Sequence, residues 1–590
     1  IGVMFILATV AAYIAHKFRQ PHIPAYIITG LLIGPVVSGI ISNDFISSLL
    51  GISPDFSLIT NKEVITTLSE IGIAFLLFIV GLEINLKKLK DIELVAGLGG
   101  TLQITIMFLL GFGFAFLIGS FTNIECIYIG LIIALSSTMV VMKLLSDRHE
   151  IDTLHGRIIV GILLIQDIAA IFSLLILSKL GGEILVNILV SISLGAIMLF
   201  IAIILSRFVF PGLFKLAAKS NEILLLCSLS ICFLFSIIFS WMGYSIAVGA
   251  FIAGITLGNL PYNIEIIGRV KSLRDFFATL FFVSLGMQLP LGGVGDIITP
   301  ILFFLVLIIL VKPFVIMMLL FIFGYKKRTS FLSSISLAQI SEFSLILLAQ
   351  GMLLGHVSEK ILTITIILAV LTIALSSYLM KYEYKLYSWI SGDLSLFERI
   401  KSREGNLEYI PHDHSAEVLL CGYNRTGYSI LEKLNEMKKD LLVIDFNPEV
   451  IKKLIKEKIP CIYGDISNIE VLNRINFNEL KFIISTAHDP IATELIIKKA
   501  KHKNKDAVIF VTAYNVDDAL SFYDAGADYV ILPHFLGGYH ASVLLEEVST
   551  DVSKLITTKN NHIDELNKRR MLGHTHPIST EHNGRNKYHI

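Results

Sequence analysis

The stretch Gly161-Ile-Leu-Leu-Ile-Gln166-Asp167-Ile-Ala-Ala-Ile171 sets one amide and one carboxylate side by side in an otherwise apolar segment. An ionisable side chain in the middle of a membrane span is costly, so such a group is kept where it meets an ion, a proton or a partner. In a soluble protein the same Asp167 would be a buried, hydrogen-bonded helical residue. The composition of the whole chain decides between these interpretations.

Composition places most of the chain in a membrane. Of its 590 residues, 54% are hydrophobic and 16% are charged, and the mean hydropathy is +0.74. These values lie outside the usual range of soluble proteins. Beyond Lys381 the long apolar runs give way to short segments rich in Lys, Glu and Asp, so we expect a membrane domain followed by a soluble one. The formal net charge of zero argues against nucleic acid as a partner.

Apolar runs of about 17 to 25 residues predict thirteen membrane spans. Lysine and arginine concentrate in the loops on one side, for example at 87–90 and 326–328, and the positive-inside rule makes that side cytoplasmic. We therefore expect a multi-pass protein of the cell (inner) membrane with its N-terminus outside and its C-terminal domain in the cytoplasm. The predicted spans are 2–16, 23–41, 64–84, 94–119, 124–145, 157–178, 184–206, 221–241, 244–259, 273–289, 298–324, 330–354 and 360–380.

Polar residues interrupt the fifth and the twelfth of these spans. The fifth contains Ser136-Ser137-Thr138, and the twelfth contains Gln339-Ile-Ser-Glu342. Small hydroxyl residues suit an unwound helix whose freed carbonyls coordinate a cation, although in an ordinary helix they bond to the preceding turn. Because the interruptions lie seven spans apart, they predict inverted repeats with crossing broken helices. Lys312 in the eleventh span is expected to have a structural role.

Four segments carry a family resemblance: Gln20–Pro35, Gly72–Glu83, Gln166-Asp167 and Phe281–Met287. They resemble the second branch of the monovalent cation:proton antiporters and, within it, the Kef-type potassium:proton antiporters. The resemblance implies a homodimer in a lipid bilayer, with a core domain that moves elevator-fashion. Electrogenic sodium:proton relatives have an Asp-Asp-like pair in the sixth span, whereas Kef-type relatives have Gln-Asp. Gln166 leaves a single carboxylate, which suits one-for-one exchange and indicates potassium.

These residues define a transport hypothesis. Asp167 binds either a proton or a dehydrated alkali cation, because desolvation favours its protonated form and a nearby cation favours its ionised form. Lys312 would support the helix crossing, hydrogen-bonded to Gln166, which replaces the usual acidic partner of this lysine in the family. The predicted ion and proton site comprises Asp167, Gln166, Ser136, Ser137 and Thr138, supported by Lys312, Gln339 and Glu342, with no metal beyond transported K+ or Na+.

The C-terminal segment begins with a βαβ pattern. The strand Ala416–Cys421 leads into the turn Gly422–Gly427 and a helix, and the next strand ends in Asp445, 18 residues after Gly427. Glycines in such a turn let a phosphate approach the helix N-terminus, and an acid about 20 residues on suits ribose hydroxyls. Asn424 occupies the middle glycine position and departs from the fingerprint. Four further strands predict a doubly wound sheet of six strands.

This half resembles the TrkA-N domain, the N-terminal domain of regulators of potassium conductance, which Kef-type proteins carry at their C-terminus. The resemblance implies a regulatory dimer that binds NAD(H) or a mononucleotide such as AMP; a Rossmann-like fold retained only for dimerisation is the alternative. No substrate domain follows, so we do not expect an enzyme. The implied nucleotide-binding residues are Gly422, Tyr423, Asn424, Arg425, Thr426 and Gly427 on the phosphate side, Asp445 at the ribose and Asp465 at the adenine end.

The predicted fold class is a multi-span α-helical membrane protein with a cytoplasmic α/β Rossmann-like domain. The predicted function is exchange of K+ for H+, gated by nucleotide binding. The alternatives are a Na+/H+ antiporter of the same architecture, a sensor, and a ligand-gated K+ channel, although no TVGYG filter occurs in the sequence. Kef-type proteins also respond to glutathione, which is a further candidate partner. The expected segments are a transmembrane domain at 1–382, a linker at 383–411, a regulatory domain at 412–545 and a polar, partly disordered tail at 546–590.

Overall fold

The computed structural model describes two compact units. The first comprises residues 1–151 and 155–402, and the second comprises 152–154 and 403–590. The described residues are 2–36, 62–83, 94–177, 200–289, 294–394, 407–550 and short helical pieces between 558 and 567, with gaps at 19, 149, 152, 203, 219, 243, 259, 412–415, 424–425, 465, 467–468 and 488.

The first unit is built of apolar helices, as the composition predicts. Six of the described helices are long and apolar enough to cross a membrane, or seven if the bent pair 200–208 and 210–217 is one span. The other predicted spans are shorter, interrupted or more charged helices, or lie partly outside the described residues, as 184–206 does. The six helices cover Gly97–Ile118, Asn123–Ser146, Leu154–Leu177, Asn221–Trp241, Ile297–Ile322 and Glu359–Lys381.

Most helices in this unit begin and end within a few residues of the predicted spans, whereas α11 begins ten residues before the predicted span 273–289. The helices are α1 (Gly2–Lys17), α2 (His22–Leu31, continued by a π-helical turn at Leu32–Val36), α3 (Lys62–Glu83), α4 (Leu94–Ile118), α5 (Asn123–Ala134), α6 (Thr138–Asp147), α7 (Leu154–Leu177), α8 (Phe210–Ala217), α9 (Asn221–Trp241), α10 (Ile246–Gly258), α11 (Asn263–Met287), α12 (Val294–Val306, continued by a π-helical turn at Leu307–Val311), α13 (Lys312–Ile322), α14 (Lys327–Ser336), α15 (Glu342–Leu353), α16 (Glu359–Lys381) and α17 (Glu383–Leu394).

Both predicted interruptions are breaks in the backbone of a helix. The first separates α5 from α6 at residues 135–137, and the second separates α14 from α15 at 337–341. A serine N-cap precedes the second helix at each break. The hydroxyl of Ser137 accepts from the N–H of Val140, and that of Ser341 accepts from the N–H of Phe343. Serine side chains compete with helical backbone bonds and make good N-caps, which explains why the helices stop and restart here.

Glycines bring pairs of helices in this unit into backbone contact. A Cβ atom on Gly254 of α10 would lie 2.1 Å from the carbonyl oxygen of Phe78 on α3. A Cβ atom on Gly286 of α11 would lie 2.1 Å from that of Ile27 on α2. Small residues permit such close packing where no hydrophobic driving force acts between helices in lipid.

We expect Gly254→Ala to lower the melting temperature of the detergent-solubilised protein, because the added methyl forces α3 and α10 apart at a cost of about 1–3 kcal/mol. Gly113→Ala is the matched control, since a Cβ atom there meets nothing within 4 Å. The control is expected to match or exceed the wild type because alanine favours helix. Equal melting temperatures for the two variants, measured by scanning fluorimetry, would contradict this packing.

The expected linker begins as a packed helix. Glu383, at the start of α17, forms an ion pair with Arg148, the C-cap residue of α6, and its side chain is 2% exposed. Burial raises the pKa of the Glu383 carboxyl to about 8, and the charge of Arg148 acts in the opposite direction. Tyr387 packs against Phe331 on α14 with ring centroids 5.8 Å apart. These contacts between distant residues order a segment whose local sequence resembles a linker.

The second unit contains a mainly parallel sheet of seven strands, in the order β1-β4-β3-β2-β5-β6-β7. The six predicted strands are present, and the order reverses between β2 and β5, where doubly wound folds bind their ligands. The edge strand β1 is antiparallel to β4 and was not predicted, since it has only two residues. The elements are β1 (Glu408–Tyr409), β2 (Val418–Cys421), α18 (Thr426–Glu436), β3 (Leu441–Asp445), α19 (Pro448–Lys456), β4 (Cys461–Tyr463), α20 (Ile469–Asn473), β5 (Phe482–Ser485), α21 (Pro490–Lys503), β6 (Val508–Thr512), α22 (Val516–Ala525), β7 (Tyr529–Ile531) and α23 (Pro533–Thr550), which passes the predicted boundary at 545.

Candidate functional site

Asp167 on α7 meets the first residue of α6. The Thr138 hydroxyl donates to its carboxylate and lies 2.9 Å from Oδ1 and 3.0 Å from Oδ2. The Asp167 side chain is buried, with 5% exposure. Because α6 begins at Thr138, the positive end of its aligned peptide dipoles lies beside this carboxylate. The structure therefore brings together the intramembrane acid and the last of the three predicted hydroxyls.

Gln166 belongs to a chain of amides that runs to α4. Its Oε1 accepts from the N–H of Ser136 at 2.8 Å, and its Nε2 donates to Oε1 of Gln103 at 2.6 Å. Gln103 donates in turn to the carbonyl of Ala134 at 2.9 Å, at the end of α5. Sequence reasoning missed Gln103, although a single amide in the apolar span 94–119 was the signal that could have identified it.

Lys312 lies where the two broken helices cross. Its Nζ donates to the carbonyl of Leu135 at 2.7 Å and to that of Gln339 at 2.9 Å, and the side chain is fully buried. The predicted hydrogen bond from Lys312 to Gln166 is wrong, because the Gln166 amide binds Gln103 and the backbone of Ser136. The ammonium instead donates to carbonyls just beyond the C-terminal ends of α5 and α14, where the helix dipoles carry partial negative charge.

The remaining predicted polar residues join the two breaks to each other. The Ser136 hydroxyl donates to the carbonyl of Leu337 at 2.9 Å, and Nε2 of Gln339 donates to the carbonyl of Ser137 at 3.3 Å. Ser376 on α16 donates to Oε1 of Gln339. Ser136 and Gln339 therefore act as braces of the crossing in this arrangement.

Glu342 is the first residue of α15, and its side chain contacts the N-terminal end of α6. Its Oε1 accepts from the N–H of Met139 at 3.2 Å, and the side chain is 3% exposed. The hydroxyl of Ser137 interacts with the same carboxyl. The other oxygen, Oε2, is buried and has no hydrogen-bond partner within the part of the chain that the structure describes.

Carboxylate, hydroxyl and carbonyl oxygens at a helix break provide the donor set by which transporters hold alkali cations. Among the described residues, no group of three or more His, Cys, Asp or Glu side chains is arranged to hold a metal ion. The crossing therefore brings together carboxylate, hydroxyl and carbonyl oxygens, the ligand types that suit hard cations and protons.

We expect Lys312→Met to destabilise the protein, because it leaves two buried carbonyls without their donor at a cost of about 1–3 kcal/mol for each group. Lys143→Met, which replaces an exposed lysine on α6, is the control. Melting temperatures in detergent check the prediction. If the two variants have the same melting temperature, the stability of the crossing does not depend on the Lys312 ammonium.

In the second unit, two glycines shape the turn after β2. Gly422 has a φ of +90°, and a Cβ atom there would lie 2.4 Å from Oγ1 of Thr486. A Cβ atom on Gly427 would lie 2.0 Å from the carbonyl oxygen of Gly422. The turn precedes α18, whose first described residue is Thr426, and a glycine turn before a helix N-terminus is the place at which such folds bind phosphate. The predicted ligand residues Asn424, Arg425 and Asp465 lie outside the described residues.

Asp445 at the end of β3 holds this turn in place. Its Oδ2 accepts from the N–H of Tyr423 and its Oδ1 from that of Asn447, each at 2.7 Å. Burial raises the pKa of the carboxyl to about 6, against the effect of these backbone bonds. The carboxylate at the end of β3 thus binds backbone N–H groups of the turn, at the place where dinucleotide-binding folds have the acid that recognises ribose.

Lys453 on α19 adds a cation that sequence reasoning missed. Its Nζ donates to the Tyr423 hydroxyl at 2.8 Å and lies 5.1 Å from the centroid of that ring and 5.7 Å from that of Tyr428. Its position in the sequence gives no signal, since it is one of several lysines in α19 and only the fold places it beside the glycine turn.

Comparison with known proteins separates the same two parts of the chain. Residues 4–381 match the family model described as "Sodium/hydrogen exchanger, transmembrane", and residues 418–533 match that of the TrkA-N domain. The putative cation/proton antiporter YbaL of Escherichia coli (strain K12) is 27% identical, over 89% of this chain and 93% of its own.

Two further relatives are named for potassium. K(+) efflux antiporter 6 of Arabidopsis thaliana is 32% identical over 58% of this chain and 56% of its own. The glutathione-regulated potassium-efflux system protein KefC of Enterobacter sp. (strain 638) is 24% identical over 85% of this chain and 77% of its own.

Proposed function

We propose that this chain, which belongs to the sodium/hydrogen exchanger family of transmembrane proteins, exchanges K+ for H+ across a cell membrane. The family and the TrkA-N domain that follows it confirm the resemblance predicted from the sequence. The observation that carries the proposal is the contact of Thr138 with both oxygens of Asp167, at a helix break inside the membrane unit. A buried carboxylate at such a place is a functional group by default.

In the proposed cycle, a cation and a proton compete for one buried site. The cation binds at Asp167 with oxygens from residues 136–138, and its departure leaves a buried negative charge that a proton neutralises. Gln166 carries no charge and holds the first break in place through its bonds to Ser136 and Gln103. One proton then moves for each cation.

K+ is the proposed cation, and Na+ is the alternative. The neutral Gln166 beside Asp167 favours K+, as do relatives whose names specify K+ efflux. The description of the matching family model names sodium and favours the alternative. Proton flux driven by K+, Na+, Rb+ and Li+ at one fixed pH distinguishes the two.

Asp167→Asn is expected to reduce cation-driven proton flux to the background of protein-free liposomes, because the amide keeps the shape of the side chain but neither attracts a cation nor takes up a proton. Asp275→Asn, which neutralises a carboxylate with 60% side-chain exposure, is the control and should retain flux. The measurement is quenching of a pH-sensitive dye in proteoliposomes on addition of KCl. Flux of wild-type size in Asp167→Asn would refute the proposed site.

The TrkA-N unit is proposed to bind NAD(H) or AMP and thereby to gate exchange. The glycine turn and Asp445 support phosphate and ribose recognition, and Lys453 adds a cation for a phosphate. Gly422, Tyr423, Thr426 and Gly427 would line the phosphate side together with Asn424 and Arg425, and Asp465 would lie at the adenine end.

Gly427→Val is expected to abolish binding of AMP and NADH to the purified full chain, because its side chain would displace the backbone of the turn. Gly537→Val on α23 is the control, since a Cβ atom there meets nothing within 4 Å. Isothermal titration calorimetry measures binding. Equal affinity in both variants would show that nucleotide binding does not depend on the glycine turn, whereas no binding even to the wild type would favour a fold retained only for dimerisation.

The assembly proposed around these sites is a homodimer in the cell membrane, with its N-terminus outside and its TrkA-N unit in the cytoplasm. The proposed segments are a transporter domain at 1–382, a connection at 383–411, of which 383–394 is helical, a regulatory domain at 412–545 and a tail at 546–590. Glutathione is a candidate regulator because the KefC relative is named as glutathione-regulated.

A further inference from the structure

Two buried carboxylates from different helices meet the first turn of α6. Asp167 accepts from the hydroxyl of Thr138, and Glu342 accepts from the backbone N–H of the next residue, Met139. The positive end of the α6 dipole therefore serves both acids. Sequence neighbours 138 and 139 thus link a carboxylate on α7 to one on α15, across the crossing of the two broken helices.

The two carboxylates differ in how their oxygens are occupied. Both oxygens of Asp167 lie within hydrogen-bonding distance of Thr138 Oγ1, and a donor hydroxyl favours the ionised form. Oε2 of Glu342 is buried and receives no hydrogen bond from any described residue. A charged carboxylate oxygen that is buried and receives no hydrogen bond raises the free energy of the protein. Protonation therefore lowers the free energy more at Oε2 of Glu342 than at Asp167.

The charges at the crossing leave room for one exchangeable positive charge. Lys312 is the one lysine or arginine among the described residues that is classed as buried, and its hydrogen bonds go to carbonyls. With Asp167 and Glu342 both ionised, the three side chains sum to one negative charge. Either one alkali cation or one proton restores neutrality, which low-dielectric surroundings strongly favour.

Other charged and titratable groups lie on the helices around this pair. Arg274 on α11 is the charged side chain outside the crossing whose field acts on Glu342. The helices packed against α15 are α5 and α16. On α5, the Glu125 carboxylate accepts from the N–H of Ser358, and the Tyr128 hydroxyl bonds to His356. The other titratable side chains of these helices are Cys126 on α5 and Glu359, Lys360, Tyr378 and Lys381 on α16.

We propose that Glu342 carries the exchanged proton while Asp167 holds the cation. The cation leaves Asp167 as a proton binds Oε2 of Glu342, and the proton leaves Oε2 as the next cation binds. The net charge of the site stays the same in both loaded states. This inference rests on the proposed exchange function and changes only which carboxyl takes the proton.

Two transport assays on the same proteoliposomes test the assignment. Cation-driven proton flux needs both groups, whereas counterflow of radioactive Rb+ against unlabelled K+ needs cation binding and no proton. We expect Glu342→Gln to lower proton flux by at least about tenfold and to keep Rb+ counterflow within about threefold of wild type. Asp167→Asn should lose both activities, and Glu342→Asp should recover part of the proton flux.

The Glu342→Gln variant keeps the oxygen that accepts from Met139 and the volume of the side chain, so it is expected to fold, which its melting temperature checks. Proton flux in Glu342→Gln with the wild-type rate and pH profile would overturn the inference, as would loss of Rb+ counterflow in a folded variant, which would make Glu342 a cation ligand or a structural group. If wild-type protein shows no cation-driven proton flux, the proposed function fails instead, and Rb+ counterflow in the same vesicles shows whether cation binding remains.

Discussion

A broken helix inside a membrane exposes backbone carbonyls that no water can reach, and the first unit is arranged around satisfying them. Lys312 supplies one ammonium to a carbonyl of each break. Gln103 supplies an amide to the carbonyl at the end of α5. Without such donors each carbonyl would carry the full cost of desolvation. The crossing of the two broken helices can therefore exist only where these polar side chains converge.

The same arrangement sorts charge along the broken helices. The Lys312 ammonium lies at the C-terminal ends of α5 and α14, and the carboxylates of Asp167 and Glu342 lie at the N-terminal end of α6. Each of these charges is therefore beside the end of a helix dipole that carries the opposite partial charge. This complementarity helps to stabilise the buried carboxylates. A transported ion can then complete the site and still leave it.

Much of this was predictable from the sequence because its signals are local. Runs of apolar residues determine the spans, the hydroxyl run of 136–138 determines the first break, and the glycine turn with Asp445 determines the βαβ unit. What escaped prediction depends on contacts between distant residues. Gln103 and Gln166 are 63 positions apart and Lys312 and Leu135 are 177 apart, so no local pattern indicates which amide or carbonyl each side chain finds. The two-residue strand β1 and the helix α17 likewise exist through their partners, since neither sequence favours its structure by itself.

The ion pair between Arg148 and Glu383 joins α17 to the helix that begins at Thr138. α6 begins at Thr138 and ends at its C-cap residue Arg148. About 15 Å of helix therefore separates the ion pair from the residue that donates a hydrogen bond to Asp167. Tyr387 of α17 packs against Phe331 of α14, the helix that precedes the second break. α17 therefore has contacts with the helices next to both breaks. Since burial raises the pKa of Glu383 to about 8, a fall in pH through that range protonates the carboxylate and removes its charge from the pair with Arg148.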